Sequence, residues 1–206
     1  MLYDITPAIS PRLCVWPADT APRREVLLEQ RAGANVTLST LHATVHLGAH
    51  ADAPNHYGVD APSIEARALD YYLGRCQVMH VAPARGTRIT AAMLPAEIAA
   101  ERLLLATNTF PDPENWNNDF AALAPEFVDH CHAGGVRLIG IDTPSVDLMD
   151  AADLPAHGRF LKHDMAILEG LALRGVPAGF YELIALPLPL VGFDASPVRA
   201  VLRTLS

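Results

Sequence analysis

The chain has 206 residues, of which 50% are hydrophobic and 18% are charged, and we expect one α/β domain over residues 1–206. The net charge of −8 argues against a nucleic-acid-binding surface, and without a run of about 20 apolar residues no membrane span is expected. Residues 1–4 lack the basic start of a signal peptide, and three scattered cysteines indicate neither disulfides nor a cysteine-rich zinc site. We therefore expect a soluble, cytoplasmic protein.

The first half of the chain is predicted to contain mainly strands. Apolar and β-branched runs predict them at residues 2–5, 24–30, 34–46 and 76–82. Between the first two lies the turn-rich sequence VWPADT, in which Trp16 is either a buried anchor or a pocket residue. A short helix is predicted over residues 68–73, because Gly74 follows as a stop signal.

The second half mixes predicted helices and strands. Helices are predicted at residues 91–102, 124–133 and 163–173, and strands at 103–106, 136–141, 182–186 and 198–204. Loops are expected at 108–119, which contains Trp116, and at 147–160. Asp142, at the end of a predicted central strand, is a turn or cap residue by default. Because helices and strands alternate imperfectly, we expect a mixed sheet.

The sequence HLGAHADAPNHY at residues 46–57 concentrates the reactive side chains. Four potential metal ligands share one parity there: His46, His50, Asp52 and His56. Same-parity side chains point to one face of an extended chain. In a straight strand the first and last would lie about 33 Å apart, whereas ligands lie about 2 Å from their metal. The chain must therefore bend, and Gly48 and Pro54 are suited to bends.

Two other interpretations of this stretch are weaker. His46 and His50 have the spacing of the zinc-binding helix H-E-x-x-H. Leu47 stands where that motif needs glutamate, and Gly48 disfavours a helix. A structural role for three histidines and one aspartate so close together is also less plausible than a loop-based metal site.

Further ligands are expected in the sequence AHGRFLKHDMAILEG at residues 156–170. Glu169 lies in an apolar run, where a carboxylate is costly to bury unless it is paired or metal-bound. The alternative is a solvent-exposed helix face. Composition does not decide whether His157 or His163 is its partner.

The pattern H-x-G-x-H-x-D-x-P-x-H at residues 46–56 resembles the signature of the cyclase-like metal-dependent hydrolases. Within that family the chain is most similar to the bacterial kynurenine formamidases, or arylformamidases. The supporting stretches lie at residues 15–20, 46–57, 138–147, 165–170, 181–188 and 194–203. The resemblance implies a swivelling β/β/α fold with two divalent metal ions, usually zinc, with manganese as an alternative.

The resemblance also implies a role for each site residue. The implied metal ligands are His46, His50, Asp52, His157 and Glu169, with Asp52 bridging. His56 becomes the general acid/base and Trp16 a substrate contact. Ala18 departs from the resemblance, because similar sequences tend to have glycine at this position. The roles of His163, Trp116 and Asp142 are not assigned.

The activity expected from the resemblance is hydrolysis of N-formyl-L-kynurenine to L-kynurenine and formate in tryptophan degradation. We expect a homodimer in which the neighbouring chain helps to wall the pocket. One alternative is a related cyclic-amide hydrolase such as an isatin hydrolase. Another is a metal-binding protein without catalysis, against which His56 argues because five other ligands suffice. A serine-triad formamidase is not indicated, since no G-x-S-x-G sequence occurs.

Overall fold

A computed structural model describes residues 1–205 of the chain. Its strands and α-helices within that range are β1 (Leu2–Asp4), β2 (Arg23–Leu28), β3 (Leu38–His42), β4 (His50–Asp52), β5 (Leu73–His80), β6 (Arg88–Ile89), β7 (Arg102–Ala106), β8 (Ala122–Leu123), α1 (Pro125–Ala133), β9 (Leu138–Ile141), α2 (Pro155–His163), β10 (Ala166–Glu169), β11 (Gly179–Ile184), β12 (Ala195–Pro197) and β13 (Val201–Thr204). Single 3₁₀ turns lie at Gln30–Ala32, Pro54–His56, Ile64–Ala66, Leu69–Tyr71 and Ala91–Met93. No helix in residues 1–205 combines the length and the apolar character needed to cross a membrane.

Nine of the strands form one mixed sheet. Their order is β1-β13-β11-β5-β7-β9-β10-β4-β12. The central strands β5, β7, β9 and β10 are parallel to their neighbours in that group, and the other pairings in the sheet are antiparallel. Two small sheets, β2–β3 and β6–β8, lie outside it. The predicted α/β class with a mixed sheet is therefore confirmed.

The core lies on both faces of this sheet. Side chains along a strand alternate between the faces, so Leu103 and Leu105 of β7 pack with Phe127 of α1 and Phe160 of α2. Leu104 points to the other face, where a second buried cluster contains residues from both ends of the sheet. The sheet therefore curls around the second cluster, and this curl brings β4, β10 and β12 to one side of the molecule.

Two predicted helices are wrong, and each has a local cause. Of residues 91–102, only Ala91–Met93 forms a single turn, after which Leu94 is extended. Leu94 precedes Pro95, and a residue before proline is disfavoured in the helical region. Of residues 68–73, only Leu69–Tyr71 forms a turn, because Leu73 already begins β5.

The helix predicted over residues 163–173 is also wrong. Helix α2 begins earlier, inside the predicted loop at 147–160, and ends at His163, after which Asp164 takes a left-handed conformation. Residues 166–169 instead form β10, which is buried along its whole length. A short apolar run buried on both faces is typical of such a strand and does not differ in pattern from a buried helix segment.

Several predicted strands lie at the right place with different ends. The strand expected at residues 34–46 is the shorter β3, and the one at 24–30 is β2. The strand expected at residues 136–141 is β9, and that at 198–204 is β13. Ending β3 at His42 leaves residues 43–49 as a loop that can bend before β4 begins.

Candidate metal centre

The centre is built on β4, which lies between β10 and β12. His50 of β4 is the antiparallel partner of Glu169 in β10, so the two side chains lie next to each other on one face. Asp52 is the partner of Ala195 in β12. Sheet pairing thus joins residues from three distant parts of the chain.

The two expected bends are present on either side of β4. Gly48 has a φ of +58°, in the left-handed region that favours glycine. Pro54 begins the 3₁₀ turn Pro54–His56. The result is that the ring centroids of His46 and His56 lie 4.3 Å apart, where a straight strand would hold them about 33 Å apart.

The side chains form two ligand groups that share one aspartate. His50, Asp52 and Glu169 make one group, and His46, Asp52 and His56 make the other; in each, one potential ligand atom per residue lies within 4.8 Å of the others. His50 Nε2 lies 3.3 Å from Glu169 Oε2, and His46 Nδ1 lies 3.1 Å from Asp52 Oδ1. Asp52 is therefore common to both groups.

Three buried polar atoms at this point lack hydrogen bonds. They are Nε2 of His50 and both carboxylate oxygens of Asp52. Neighbouring side chains approach closely, but none has the direction of a hydrogen bond to these atoms. Buried polar groups without partners are costly. Nitrogen and carboxylate donors of this kind suit divalent ions such as Zn²⁺, Mn²⁺ or Fe²⁺, so the donor set fits the metals expected from the sequence.

The structure brings His157 to this cluster but not His163. His157 Nε2 lies 3.5 Å from Asp52 Oδ2 and 3.7 Å from Glu169 Oε1. His163 Nε2 lies 2.6 Å from Asp129 Oδ1, on the side of α2 that faces α1. Of the two histidines that the sequence left open, His157 is therefore the one that lies beside Glu169.

The carboxylates of the centre shift the pKa values of two of its histidines upward. Burial alone would lower the pKa of His46, but Asp52, Asp194 and Glu169 outweigh it and raise that pKa to about 9. Burial likewise opposes protonation of His157, whose pKa rises to about 10 because of Asp147, Asp52 and Glu169. Burial would raise the pKa of Asp52, yet its contacts with His157 and His46 hold that pKa well below its usual range. The carboxylates therefore require positive charge beside them.

Asp147, which the sequence analysis missed, holds His157 in place. Its carboxylate accepts hydrogen bonds from the backbone N–H of Ala156 and His157, and Arg88 donates to it at 2.8 Å. Its Oδ2 lies 2.9 Å from His157 Nδ1, which leaves Nε2 directed at the cluster. A second carboxylate that orients a histidine ligand in this way is usual at metal sites.

Asp194 is the second residue that the sequence analysis missed. Its Oδ2 lies 3.1 Å from His46 Nε2 and 3.4 Å from His56 Nδ1. The backbone carbonyl of Asp194 accepts a hydrogen bond from Ala53, so the pairing of β12 with β4 fixes its position. The only sequence signal was its membership in the stretch 194–203.

His56 differs from the other histidines in exposure. Its side chain is 33% exposed, against 4% for His50, and it lines the adjoining cavity. Its Nδ1 faces Asp194, while Nε2 makes no hydrogen bond to any described residue. The free nitrogen is thus available to a molecule in the cavity, although the same ring also lies within the second ligand group.

The cavity next to the centre has a volume of about 600 Å³ and an aromatic wall. Trp16, Phe110 and Trp116 line it. Trp16 meets Trp116 edge-to-face at 5.6 Å between ring centroids, and Phe110 meets Trp116 at 5.4 Å. Trp16 remains 37% exposed. It is therefore a wall residue of the cavity and not a buried anchor.

The cavity wall also includes Ala18 and Asp142. Ala18 has a φ of +74°, the conformation that favours glycine, so the loop keeps a glycine-like shape with alanine in it. Asp142 lines the cavity and accepts hydrogen bonds from the hydroxyl of Thr107 at 2.6 Å and from the backbone N–H of Asn108 at 2.8 Å. Burial raises the pKa of Asp142. It acts as a support for the 107–108 loop.

Comparison with known proteins identifies relatives that share the family and the fold. The family model described as "Putative cyclase" matches residues 3–148. A structure named a potential metal-dependent hydrolase with cyclase activity is 26% identical, covers 98% of this chain and 96% of its own, and gives a TM-score of 0.84. A predicted metal-dependent hydrolase from Bacillus stearothermophilus is 27% identical, with 98% and 97% covered and a TM-score of 0.81.

Isatin hydrolase A from Labrenzia aggregata shares the fold. It is 21% identical to this chain, covers 100% of this chain and 94% of its own, and gives a TM-score of 0.84. These likenesses extend over nearly the whole chain, and the family match includes the motif at residues 46–56 together with Asp142 and Asp147. The chain belongs to the cyclase family.

Proposed function

We propose that this chain is a metal-dependent hydrolase that cleaves N-formyl-L-kynurenine to L-kynurenine and formate. One observation carries the proposal: the ligand groups that share Asp52 open onto a cavity walled by Trp16, Phe110 and Trp116. Hydrolysis of an aryl amide needs both parts, an electrophilic centre and a surface for an aromatic ring. The solved structures of metal-dependent hydrolases with this fold support the reaction class.

The centre would hold two divalent ions, most simply zinc. The proposed ligands are His46, His50, Asp52, His157 and Glu169. When bound, such ions supply Lewis acidity that polarises an amide carbonyl and makes water more acidic. Backbone contacts hold two of these ligands in place. The backbone N–H of Val146 donates to Glu169 at 2.7 Å, and the Gly48 carbonyl lies 2.9 Å from His50 Nδ1.

His56 would carry the proton during the reaction. Its Nε2 accepts a proton from the attacking water as the new C–O bond forms. It then returns that proton to the aryl amine nitrogen as the C–N bond breaks, which releases the amine and formate. Asp194, at 3.4 Å from Nδ1, favours the ring orientation in which Nε2 faces the cavity.

The aromatic wall would bind the aryl ring of the substrate. Edge-to-face and offset stacking on Trp16 and Trp116 favours a flat ring at the cavity mouth. A volume of about 600 Å³ lies within the ordinary range for small-molecule sites, roughly 300–1,000 Å³. The wall therefore fits a bicyclic or side-chain-bearing aromatic amide.

Formate release from N-formyl-L-kynurenine, measured beside hydrolysis of isatin, tests the activity. We expect the linear formamide to be the better substrate by kcat/KM. Isatin hydrolysis is the second candidate, because isatin hydrolases share this fold. If isatin is cleaved efficiently and the formamide is not, the substrate assignment is wrong while the hydrolase class stands.

Metal content provides the first prediction. Because Asp52 is common to both ligand groups, we expect close to two equivalents of divalent metal per chain in protein purified without chelator. Elemental analysis with titration of the metal-stripped protein measures this value. Saturation at one equivalent would contradict a bridging role for Asp52.

A homodimer is the second part of the proposal. The β2–β3 hairpin lies outside the large sheet and exposes apolar side chains, listed here with their strands: Val26, Leu27 and Leu28 on β2, and Leu38 and Leu41 on β3. A two-stranded hairpin alone is marginally stable in water, and a contiguous exposed apolar patch usually marks an interface. A second copy of the chain would cover this hairpin.

The hairpin gives the second prediction. Leu28 and Leu38 are cross-strand partners, 44% and 49% exposed, so replacing both with aspartate should convert a dimer into monomers. Light scattering measures the mass. Val59→Asp, at a side chain 95% exposed outside the hairpin, is the control and should leave the dimer intact. A fully active monomeric wild-type protein would contradict the proposal.

A further inference from the structure

Arg174 is a cation in the cavity wall without a partner. It lines the cavity, and among residues 1–205 its guanidinium forms no salt bridge within 4.0 Å and no hydrogen bond. Most arginines of the chain are paired, as Arg85 is with Asp119 and Arg12 with Glu114. No other lysine or arginine in the described part of the chain lines this cavity.

The backbone that carries Arg174 is well fixed. The Val176 N–H donates to the Leu173 carbonyl at 3.1 Å, which closes a tight turn around Arg174 and Gly175. Gly175 has a φ of +85°, as the third residue of a type II turn requires. The neighbouring Leu173 is fully buried, so the turn holds Arg174 at one place on the cavity rim.

The acidic groups of the cavity do not neutralise this cation. Asp142 is already occupied by Thr107 and Asn108, and Glu169 belongs to the metal centre. The carboxylate of Asp19 accepts a 2.6 Å hydrogen bond from the Thr20 N–H and does not reach Arg174. An anionic group on a bound molecule would therefore meet an unpaired guanidinium.

We propose that Arg174 binds the carboxylate of an anionic aryl amide substrate. This inference rests on the proposed function and names a determinant of its specificity. The guanidinium presents a planar fork of N–H donors that matches a carboxylate. In N-formyl-L-kynurenine the carboxylate lies on a flexible arm away from the formyl group, so it can reach the rim while the aryl ring packs on the aromatic wall. A neutral cyclic amide has no group for Arg174.

The test uses two substrates that differ only in this carboxylate. They are N-formyl-L-kynurenine and its decarboxylated analogue N-formylkynuramine. Arg174→Gln should raise KM for the first by about 10-fold to 100-fold, the usual value of a charge-assisted hydrogen bond, with little change in kcat. KM for the analogue should stay the same. Arg174→Lys should restore part of the affinity, and Arg203→Gln, at an exposed arginine of β13, is the charge-matched control.

A binding measurement separates this inference from the proposed function. Calorimetry with L-kynurenine and kynuramine on the same variants needs no turnover. If Arg174→Gln binds L-kynurenine more weakly but kynuramine equally well, the carboxylate site is supported. This holds even if neither formamide is hydrolysed, a result that would reject only the formamidase activity. Equal weakening of both ligands, or no change in either, overturns the role of Arg174.

Discussion

His56→Ala is expected to keep its metal while turnover falls by roughly 10²–10⁴-fold, the usual contribution of a positioned acid or base. The physical reason is its position: the ring is one-third exposed and lines the cavity, Nδ1 faces Asp194, and Nε2 has no hydrogen-bond partner among residues 1–205. Of the residues in the two ligand groups, His50 and Asp52 have buried atoms without partners and His56 does not, so we expect the metal to depend on them more than on His56. Metal content and kcat for N-formyl-L-kynurenine should be measured in one preparation.

His50→Ala is the matched comparison for that variant. His50 is buried, and its Nε2 lies 3.3 Å from Glu169 and 3.5 Å from Asp52. Its removal should release metal and lower thermal stability as well as activity, because bound metal stabilises the folded state by mass action. If His56→Ala loses metal as readily as His50→Ala, His56 is a ligand of the second group and another residue must move the proton.

The local part of the centre could be predicted from the sequence because it depends on neighbouring residues. Parity places His46, His50 and Asp52 on one side of an extended chain, and Gly48 and Pro54 mark where it turns. The structure shows both turns at those residues. The bends of residues 46–56 can therefore be predicted from the conformational preferences of the segment alone.

The supporting carboxylates could not be predicted in the same way. Asp147 reaches His157 across the end of α2, and Asp194 reaches His46 through the pairing of β12 with β4. These contacts depend on sheet order, and residues 147 and 194 have no spacing relative to the motif that would reveal them. The same holds for His157 and His163, because only the position of α2 brings His157 to the cluster and places His163 beside Asp129.

Secondary structure was predicted least well where apolar runs are short. The apolar run at residues 165–168 is compatible with a helix or with a buried strand. It forms the strand β10 because it pairs with β9 in the sheet. The consequence is functional, because β10 holds Glu169 opposite His50 in a fixed register. A helix over the same residues would have directed Glu169 elsewhere.

Gly170→Ala is expected to destabilise the protein by about 2–5 kcal/mol, the sum of a left-handed conformation and overpacking. Gly170 follows Glu169 and has a φ of +64°, and a Cβ atom there would collide with the backbone carbonyl of Gly48. That carbonyl lies 2.9 Å from His50 Nδ1 and so sets which nitrogen of the ring faces the cluster. Displacing it should also weaken metal binding by about 10-fold to 100-fold, as loss of a supporting contact usually does.

Gly135→Ala is the control for the conformational part of this effect. Gly135 has a φ of +86°, but a Cβ atom there would meet nothing within 4 Å, and the residue lies beyond α1, away from the metal centre. Gly135→Ala should lower the free energy of unfolding by about 1–2 kcal/mol, the effect of the left-handed conformation alone, and should leave metal affinity unchanged. Denaturant unfolding of the metal-free proteins and metal titration separate the two effects. Equal stability losses and unchanged metal affinity in both variants would show that the approach of Gly170 to the Gly48 carbonyl does not position His50.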